Sequence, residues 1–240
     1  MTHLIANWPA PHNISALTST SKGGQSVGNF TSNNLGLHVG DDGPVVLANR
    51  KQLADSLGLN NELIWLEQVH STCCVVVEED DNRVADAAIT RSPNYSLAIM
   101  TADCLPIVLC NKAGTEIAAI HCGWRGLVNG IIENTLAKMQ SKGEQLMAWL
   151  GPAICPKCFE IGEEVKQQYL SRYPFTAPSF IEQGAQLFAD LPGMAELILN
   201  SLGVVDVYQS GACTYESKNQ FYSYRREAKT GRMATLIWFK

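Results

Sequence analysis

Short apolar runs recur along this chain and predict β-strands. The first two are rich in β-branched and aromatic residues, which strands favour. Several runs are apolar at consecutive positions and therefore have no polar face, a pattern typical of strands covered on both sides. The predicted strands span residues 64–69, 73–77, 97–100, 107–110, 117–121, 146–150, 204–208 and 234–239.

Three other segments carry their apolar residues at helical spacing. Residues 45–59 place Val46, Leu53 and Leu57 on one face and reach Gly58, a residue type that commonly ends helices. Residues 127–139 and 185–202 each carry one apolar stripe, and each predicts one amphipathic helix. Because strands and helices alternate only partly, we predict an α+β fold of mixed β-sheets flanked by helices.

Composition favours one continuous domain over residues 1–240. The chain has no repeat of fixed period and no Pro/Ser-rich linker, and its residues are 46% hydrophobic and 17% charged, enough for one substantial core. Residues 18–43 are rich in Thr, Ser, Asn and Gly, which predicts a structured loop that covers a site.

Charge and cysteine content limit the partners and the location. The net charge is -5, and the absence of a long Lys/Arg run argues against a nucleic-acid or membrane-surface partner. The N-terminus lacks the pattern of a signal peptide and no apolar run reaches about 18 residues, so we predict a cytoplasmic protein. The eight cysteines should then stay reduced, and the question is which thiols take part in chemistry.

Three segments place a metal-binding or nucleophilic side chain at the end of a predicted strand, namely residues 67–71, 101–106 and 121–126. If His70, Cys104 and His121 converge there, two imidazoles and a thiolate suit Zn²⁺ and leave a fourth position for water or substrate. The alternative is that these residues only pack, because buried cysteine is common in protein cores.

The third segment also suggests an anion site. Gly123 and Gly126 allow a tight turn, and a helix beginning near Leu127 would direct its unpaired N–H groups toward that turn. Arg125 could add a bidentate contact to phosphate or carboxylate. The alternative is a surface arginine in an exposed turn.

These segments, together with two later ones, resemble the YfiH-like laccase-domain family, also called the polyphenol oxidase or purine nucleoside phosphorylase family. The resemblance runs in consistent order from residue 33 to residue 234. The blocks that carry it are residues 67–70, 101–106, 121–126, 151–154 with 159–162, and 213–215 with 223–226.

The resemblance implies the fold of that family (CNF/YfiH-like) and a zinc site formed by His70, Cys104 and His121. It further implies purine nucleoside substrates: phosphorolysis of adenosine, inosine and S-methyl-5'-thioadenosine, and deamination of adenosine to inosine. Phosphorolysis would use phosphate held near Arg125, whereas deamination would use water activated by Zn²⁺.

Three further residues are candidates for the site. Asp103, beside Cys104, is a candidate acid/base or ligand-orienting residue, and otherwise a turn residue. Gln68 and Asn34 are candidate hydrogen-bond partners of the base or the ribose. Together with Arg125 as a phosphate contact, Cys104 and Asp103 complete the predicted catalytic set.

Other functions remain open from the sequence. A multicopper cluster needs many imidazoles and the chain has five histidines, so a laccase mechanism is not expected, although a single copper ion suits a His-His-Cys set. Cys104 and His121 could instead act as a metal-free dyad of a hydrolase or a peptidoglycan-editing factor. The protein could also be a binding module with structural zinc.

The sequence departs from the family pattern at three places. Ser21 stands where the family often has arginine, with Lys22 one position later. Cys122 adds a thiol beside His121, and strand alternation predicts that it points away from the metal. Cys155 and Cys158 form a CxxC pair without a second pair, so we expect them, like the remaining cysteines (Cys73, Cys74, Cys110 and Cys213), to pack rather than to bind zinc.

Overall fold

The computed structural model describes residues 2–240 as two large mixed β-sheets, one small sheet and five α-helices. The five-stranded sheet consists of β1 (His3–Ile5), β2 (Ile14–Ser19), β3 (Glu62–Trp65), β6 (Tyr95–Thr101) and β14 (Met233–Phe239). Its strand order is β1-β2-β14-β6-β3, antiparallel except for the β3–β6 pair.

The six-stranded sheet has the order β13-β9-β7-β8-β5-β4, with parallel pairs at both edges and antiparallel pairs between them. Its strands are β4 (Cys74–Val76), β5 (Ala87–Thr90), β7 (Leu105–Asn111), β8 (Ile117–Cys122), β9 (Leu146–Leu150) and β13 (Asp206–Gln209). The small antiparallel sheet consists of β10 (Glu160–Ile161), β11 (Phe180–Gln183) and β12 (Gln186–Ala189).

The helices cover the outer faces of the two large sheets. They are α1 (Gly43–Leu57), α2 (Trp124–Asn129), α3 (Ile131–Lys138), α4 (Glu163–Arg172) and α5 (Leu191–Ser201). Leu53 of α1 packs on the five-stranded sheet, while α2 to α5 pack on the six-stranded sheet. The predicted α+β class, with mixed sheets flanked by helices, is confirmed. No helix within residues 2–240 is both long and apolar enough to cross a bilayer.

Strand β7 shows why the apolar runs lack a polar face. Its side chains alternate between two cores: Leu105, Ile107 and Leu109 pack toward the helices, and Val108 and Cys110 pack between the two large sheets. Both faces of the strand are therefore buried, and consecutive apolar residues are required.

Two helix predictions are wrong in extent. The helix predicted over residues 127–139 begins earlier, at Trp124, and is two helices separated by Gly130, whose φ of 99° lies in the left-handed region. The segment predicted as helix 185–202 opens with β12, and helix α5 starts at Leu191, where the Asp190 carboxylate accepts a hydrogen bond from Gly193 N (3.0 Å).

Other boundaries also shifted. The strand predicted over residues 64–69 ends at Trp65, and the chain continues irregularly toward the site. The loop predicted over residues 18–43 begins after β2, which extends to Ser19. Strands β1, β2 and β5, the small sheet and helix α4 were not predicted, because these segments are short or polar.

A buried carboxylate fixes the corner where β8 begins. Glu116 is 2% exposed and accepts hydrogen bonds from Arg91 Nε (2.8 Å), Gln140 N (2.9 Å) and Ser141 N (3.0 Å). It thereby joins the start of β8 to the chain that leaves α3. Since buried charges are tolerated only when they are paired and hydrogen-bonded, Glu116 should stabilise the native fold in its ionised form.

We expect Glu116→Gln to lower the free energy of unfolding by about 2–4 kcal/mol at pH 7, because the charged partner of Arg91 and one N–H acceptor are lost. Urea unfolding measures the change. The matched control is Glu79→Gln: Glu79 is exposed and lies 3.7 Å from the same Arg91, so its loss should cost less than about 0.5 kcal/mol. Equal effects of the two variants would contradict the assignment.

The same carboxylate predicts a pH dependence. Burial opposes ionisation, but hydrogen bonds from Gln140 and Ser141 and the Arg91 charge outweigh it and hold the pKa of Glu116 below its usual 4.5. With a lowered pKa in the folded state, the stabilisation is present above about pH 4.5 and is lost as the pH falls through the folded value. The stability difference between the native protein and Glu116→Gln should shrink accordingly below that pH.

Candidate active site

The three predicted segments meet at a cavity of about 480 Å³ at one end of the two large sheets. His70 follows β3 on an irregular segment, Cys104 lies in the turn between β6 and β7, and His121 lies near the end of β8. The possible ligand atoms of these three side chains all lie within 4.8 Å of one another. The two imidazole rings meet edge to face with centroids 4.7 Å apart, and Cys104 Sγ is 3.7 Å from His70 Nε2.

A buried carboxylate that the sequence analysis missed holds both histidines. Asp86 is 0% exposed, and its Oδ1 lies 2.8 Å from His121 Nδ1. The same carboxylate accepts hydrogen bonds from the backbone N–H groups of Val69 (3.3 Å), His70 (3.1 Å) and Ser71 (2.6 Å), and from Ser71 Oγ (2.7 Å). With its Nδ1 engaged by Asp86, His121 has its Nε2 available for a ligand.

These hydrogen bonds explain the unusual backbone of His70. Its φ is 59°, in the left-handed region that non-glycine residues seldom adopt. The Asp86 carboxylate offsets this cost, because the left-handed turn directs three consecutive N–H groups at one anion. The only sequence signal for Asp86 is an acidic residue within an otherwise apolar run, residues 84–89.

Gly123 leaves the space that the side chains of His70 and Cys104 occupy. A Cβ at this position would lie 2.8 Å from His70 Cδ2 and 3.2 Å from Cys104 Sγ. Any other residue would push these side chains apart. The glycine predicted to allow a tight turn is therefore required for steric reasons next to the cluster.

Electrostatics favour an ionised Cys104. Burial alone would raise the pKa of this thiol, but the neighbouring imidazoles, His121 first, lower it to about 6. Burial likewise disfavours the charged form of His121, but the Cys104 thiolate and the Asp86 carboxylate raise its pKa to about 9. The cluster thus contains a thiolate without added metal, which suits both metal coordination and nucleophilic attack.

Cys122 lies on the opposite side of β8 from His121. It is fully buried in the core between the six-stranded sheet and the helices, as strand alternation predicts. Burial raises its pKa well above the usual value. Cys122 is therefore a packing residue beside the site.

Asp103 lines the cavity, but both of its carboxylate oxygens are engaged. Oδ1 accepts a hydrogen bond from Thr214 Oγ1 (2.6 Å), and Oδ2 accepts from Ser223 Oγ (2.9 Å) and Arg225 N (2.7 Å). Its φ of 88° is again left-handed. Through these contacts Asp103 holds the C-terminal segment against the turn between β6 and β7.

The two predicted substrate contacts differ in placement. Gln68 lines the cavity, and its amide is bound to the backbone of Met100: Nε2 donates to the carbonyl oxygen and Oε1 accepts from the N–H, both at 2.8 Å. Asn34 is fully buried and is not part of the cavity wall. Its Oδ1 accepts hydrogen bonds from Gly36 N and Arg232 N, both at 2.9 Å. The structure therefore does not bring Asn34 to the site.

The charged side chains of the cavity wall that no carboxylate neutralises are arginines. Arg125 is exposed and lies in the first turn of α2, whereas the sequence predicted it in the turn before the helix. Its guanidinium lies over the Trp124 ring, 4.4 Å from the centroid. Arg225 and Arg232 also line the cavity, as does the imidazole of His38, whose pKa is lowered by burial and by the neighbouring arginines. Within residues 2–240, none of the three arginines forms an ion pair with a carboxylate.

Two of these arginines are already engaged. Arg225 donates to the carbonyl oxygens of Cys158 (3.4 Å) and Glu160 (3.0 Å), and Arg232 donates to those of Thr230 and Gly231, both at 3.0 Å. Arg125 keeps its donors available for an anion in the cavity. No role was predicted for Arg225 or Arg232, although both stand in segments that resemble the family, residues 223–226 and 231–234, and no motif marked His38.

Aromatic and aliphatic side chains form the rest of the wall. Trp124, Phe159 and Tyr224 offer flat surfaces, and Ile154 and Leu191 complete the apolar part. A cavity with a polar cluster at one end, a cation at its mouth and aromatic walls suits a small planar ligand that carries or meets an anion.

Comparisons with known proteins agree with this picture. The profile of the family described as "Multi-copper polyphenol oxidoreductase laccase" matches residues 15–240. The chain is 40% identical over 237 residues to "Purine nucleoside phosphorylase YfiH" of Escherichia coli strain K12, covering 98% of each chain. It is 42% identical over 240 residues to a "Purine nucleoside phosphorylase" of Haemophilus influenzae, with the same coverage.

Solved structures show the same fold. Protein NMB0706 of Neisseria meningitidis superposes with a TM-score of 0.96 at 42% identity, covering 100% of both chains. YlmD of Geobacillus stearothermophilus superposes with a TM-score of 0.88 at 29% identity, covering 97% of this chain and 94% of the other. The resemblance predicted from the sequence blocks is confirmed, and the chain belongs to the laccase-like family that includes the YfiH purine nucleoside phosphorylases.

Proposed function

We propose that this protein is a zinc-dependent purine nucleoside phosphorylase. The observation that carries the proposal is one cavity that combines the His70, Cys104 and His121 cluster, aromatic walls and an arginine with available donors. Relatives that share 98% of their length with this chain are named purine nucleoside phosphorylases. The proposed substrates are adenosine, inosine and S-methyl-5'-thioadenosine.

The donor set fits a metal ion. Two imidazoles and a thiolate of lowered pKa are borderline-soft ligands that suit Zn²⁺. His121 has its second ring nitrogen on a buried carboxylate, the arrangement that orients metal-ligating histidines. When bound, Zn²⁺ would supply Lewis acidity toward water or a substrate atom.

The chain's own residues supply the other requirements of phosphorolysis. The aromatic rings of Phe159, Trp124 and Tyr224 can stack on the purine base. Arg125 can hold phosphate through paired N–H groups. In the reaction the C1′–N9 bond breaks and a C1′–O bond to phosphate forms, while the base leaves with the electron pair and takes up a proton.

Deamination of adenosine is the second activity that we propose for the same cavity. Water adds at C6 of the base and ammonia leaves, so this reaction needs no phosphate. The His70, Cys104 and His121 cluster would act on the water, and the same aromatic walls would hold the base. The two reactions therefore differ in their need for Arg125.

Two alternatives have observations in their favour. The Cys104 thiolate beside His121 is also the arrangement of a metal-free hydrolase dyad. The His-His-Cys set also suits one copper ion, and Met100 lines the cavity, although its Sδ lies 3.4 Å from Arg50 Nη2.

A cytoplasmic location stays part of the proposal, in keeping with eight free cysteines.

Cys104→Ala should remove one metal ion per chain, because it deletes one of three ligands of the centre. Elemental analysis of the purified full chain measures the loss relative to the native protein. The matched control is Cys73→Ala, a half-buried cysteine outside the cavity wall, which should keep the native metal content. Equal metal in Cys104→Ala and the native chain would refute the ligand assignment.

Adenosine should be converted to adenine and ribose 1-phosphate only when phosphate is present, and to inosine whether or not phosphate is present. Chromatography of adenine, inosine and hypoxanthine measures both reactions. Base release that does not depend on phosphate would reject phosphorolysis. Amide hydrolysis by the metal-free chain would favour the dyad, and oxygen-dependent oxidation of a phenol by the copper-loaded chain would favour the oxidase.

Arg125→Gln should lower kcat/KM for phosphate about 10- to 100-fold, because a charge-assisted bidentate contact contributes about 1.5–3 kcal/mol. Deamination should change by less than about twofold, since no phosphate takes part. The control is Lys51→Gln on α1, which removes the same charge from an exposed side chain outside the cavity. Equal losses in the two reactions would remove the phosphate role of Arg125.

A further inference from the structure

Three cysteines outside the cavity cluster also lie together. The sulfurs of Cys155, Cys158 and Cys213 are all within 4.8 Å of one another, and the Cys155 and Cys158 sulfurs are 3.5 Å apart. Cys213 is buried, and the other two are half-buried. From the sequence these residues were expected only to pack, because a structural zinc site needs four ligands and the chain has no second CxxC pair.

The backbone brings the three cysteines together. Cys155 and Cys158 lie on the segment that follows β9, and Cys213 lies on the segment that follows β13. These segments pair through the parallel bridge between Ala153 and Cys213, with Thr214 N donating to Ala153 O at 3.0 Å. Because β9 and β13 are themselves a parallel pair, the position of Cys213 beside the CxxC turn follows from the sheet.

Two backbone hydrogen bonds end on the sulfur of Cys213. Its sulfur accepts from two backbone N–H groups, those of Cys155 (3.3 Å) and Glu216 (3.5 Å). Cys155 O accepts from Cys158 N (3.0 Å) and Phe159 N (3.1 Å), which closes the CxxC turn and keeps its two sulfurs on one side. N–H donors directed at a sulfur stabilise negative charge on it, as they do around metal-bound thiolates.

Three thiolates at this spacing require a cation. Burial raises the pKa of Cys155 to about 12, and the neighbouring sulfurs of Cys213 and Cys158 add to the effect. Burial raises the pKa of Cys158 as well. Without a positive charge among them the thiols stay protonated, whereas a thiophilic cation offsets the repulsion and displaces the protons to solvent.

We propose that Cys155, Cys158 and Cys213 form a second metal site, a trithiolate site for a thiophilic d¹⁰ ion, Zn²⁺ or Cu⁺. Soft thiolate ligands select these ions. Three ligands suffice for Cu⁺, and the partial exposure of Cys155 and Cys158 lets solvent complete a tetrahedral site for Zn²⁺.

An ion at this site would affect the catalytic cavity by holding residues of the cavity wall in place. Cys158 O accepts from Arg225, the adjacent Phe159 lines the cavity, and Thr214, adjacent to Cys213, donates to Asp103. An ion held by the three sulfurs would join the two segments that carry these residues. Its role is to position the wall, and it takes no part in the reaction.

The test uses the full chain, stripped of metal and kept under a phosphine reductant, and titrated separately with Zn²⁺ and Cu⁺ against a chromophoric chelator. Cys158→Ser and Cys213→Ser should each bind one ion fewer than the native chain. Cys104→Ala, which lacks the first site, should keep one ion. Cys73→Ser, the matched control, should bind as the native chain does, and whichever ion binds more tightly identifies the metal.

Substitution of Cd²⁺ for the native ion in Cys104→Ala gives a readout that does not depend on folding of a cluster variant. Charge-transfer absorption of three thiolates is expected there, and the metal should protect Cys155 and Cys158 from alkylation while Cys73 reacts. Unchanged binding in Cys158→Ser, or alkylation of Cys155 and Cys158 at the rate of Cys73 in the metal-loaded chain, would overturn the proposal. The ion that Cys104→Ala loses belongs to the first site, so its loss does not test the trithiolate site.

Discussion

The Asp86 carboxylate is the contact on which the geometry of the active site depends. It is fully buried, and five donors from two segments meet its oxygens. Burial raises the cost of its charge, but hydrogen bonds from His121 and Ser71 outweigh this cost and hold the pKa of Asp86 below its usual value. An anion held in this way forces the left-handed turn at His70 and sets the ring of His121, so that the two imidazoles face Cys104.

A second carboxylate does the same for the other wall. Asp103, next to Cys104, accepts hydrogen bonds from Thr214, Ser223 and the backbone of Arg225. The turn that carries the thiolate thus also fixes the C-terminal segment that carries cavity residues. Both acids therefore hold neighbouring segments in place. Buried, hydrogen-bonded charges rather than exposed surface contacts join the walls of the cavity.

The sequence allowed the fold class and the convergence of His70, Cys104 and His121 to be predicted, because both depend on local signals. Apolar runs indicate doubly covered strands, and the His70, Cys104 and His121 blocks have a fixed order. Asp86 could not be identified in this way, since nothing in its run shows which backbone N–H groups will reach it. The break at Gly130 was missed because the apolar stripe continues across it, although φ there is left-handed.

The placement of Cys213 beside Cys155 and Cys158 also depends on tertiary structure, since it needs the parallel pairing of β9 with β13. Tertiary structure also decides the place of Asn34. The sequence predicted a contact with the substrate, but Asn34 instead accepts a hydrogen bond from the backbone N–H of Arg232. Local patterns therefore predict which residues are chemically able to act. Long-range pairing decides which of them share a site.

The side chains of this chain that could bind metal do not match the family's description as a multicopper oxidase. Within residues 2–240, two groups of side chains could hold a metal, and just one of them contains histidine. A multicopper cluster needs several imidazoles around several ions, and here two imidazoles serve one position. Arg125 stands at the mouth of that position with its donors available, while Arg225 and Arg232 are engaged with backbone carbonyls. One cluster of two imidazoles and a thiolate beside one available guanidinium offers a place for at most one metal ion and one anion, which does not match the several imidazole-bound ions of a multicopper cluster.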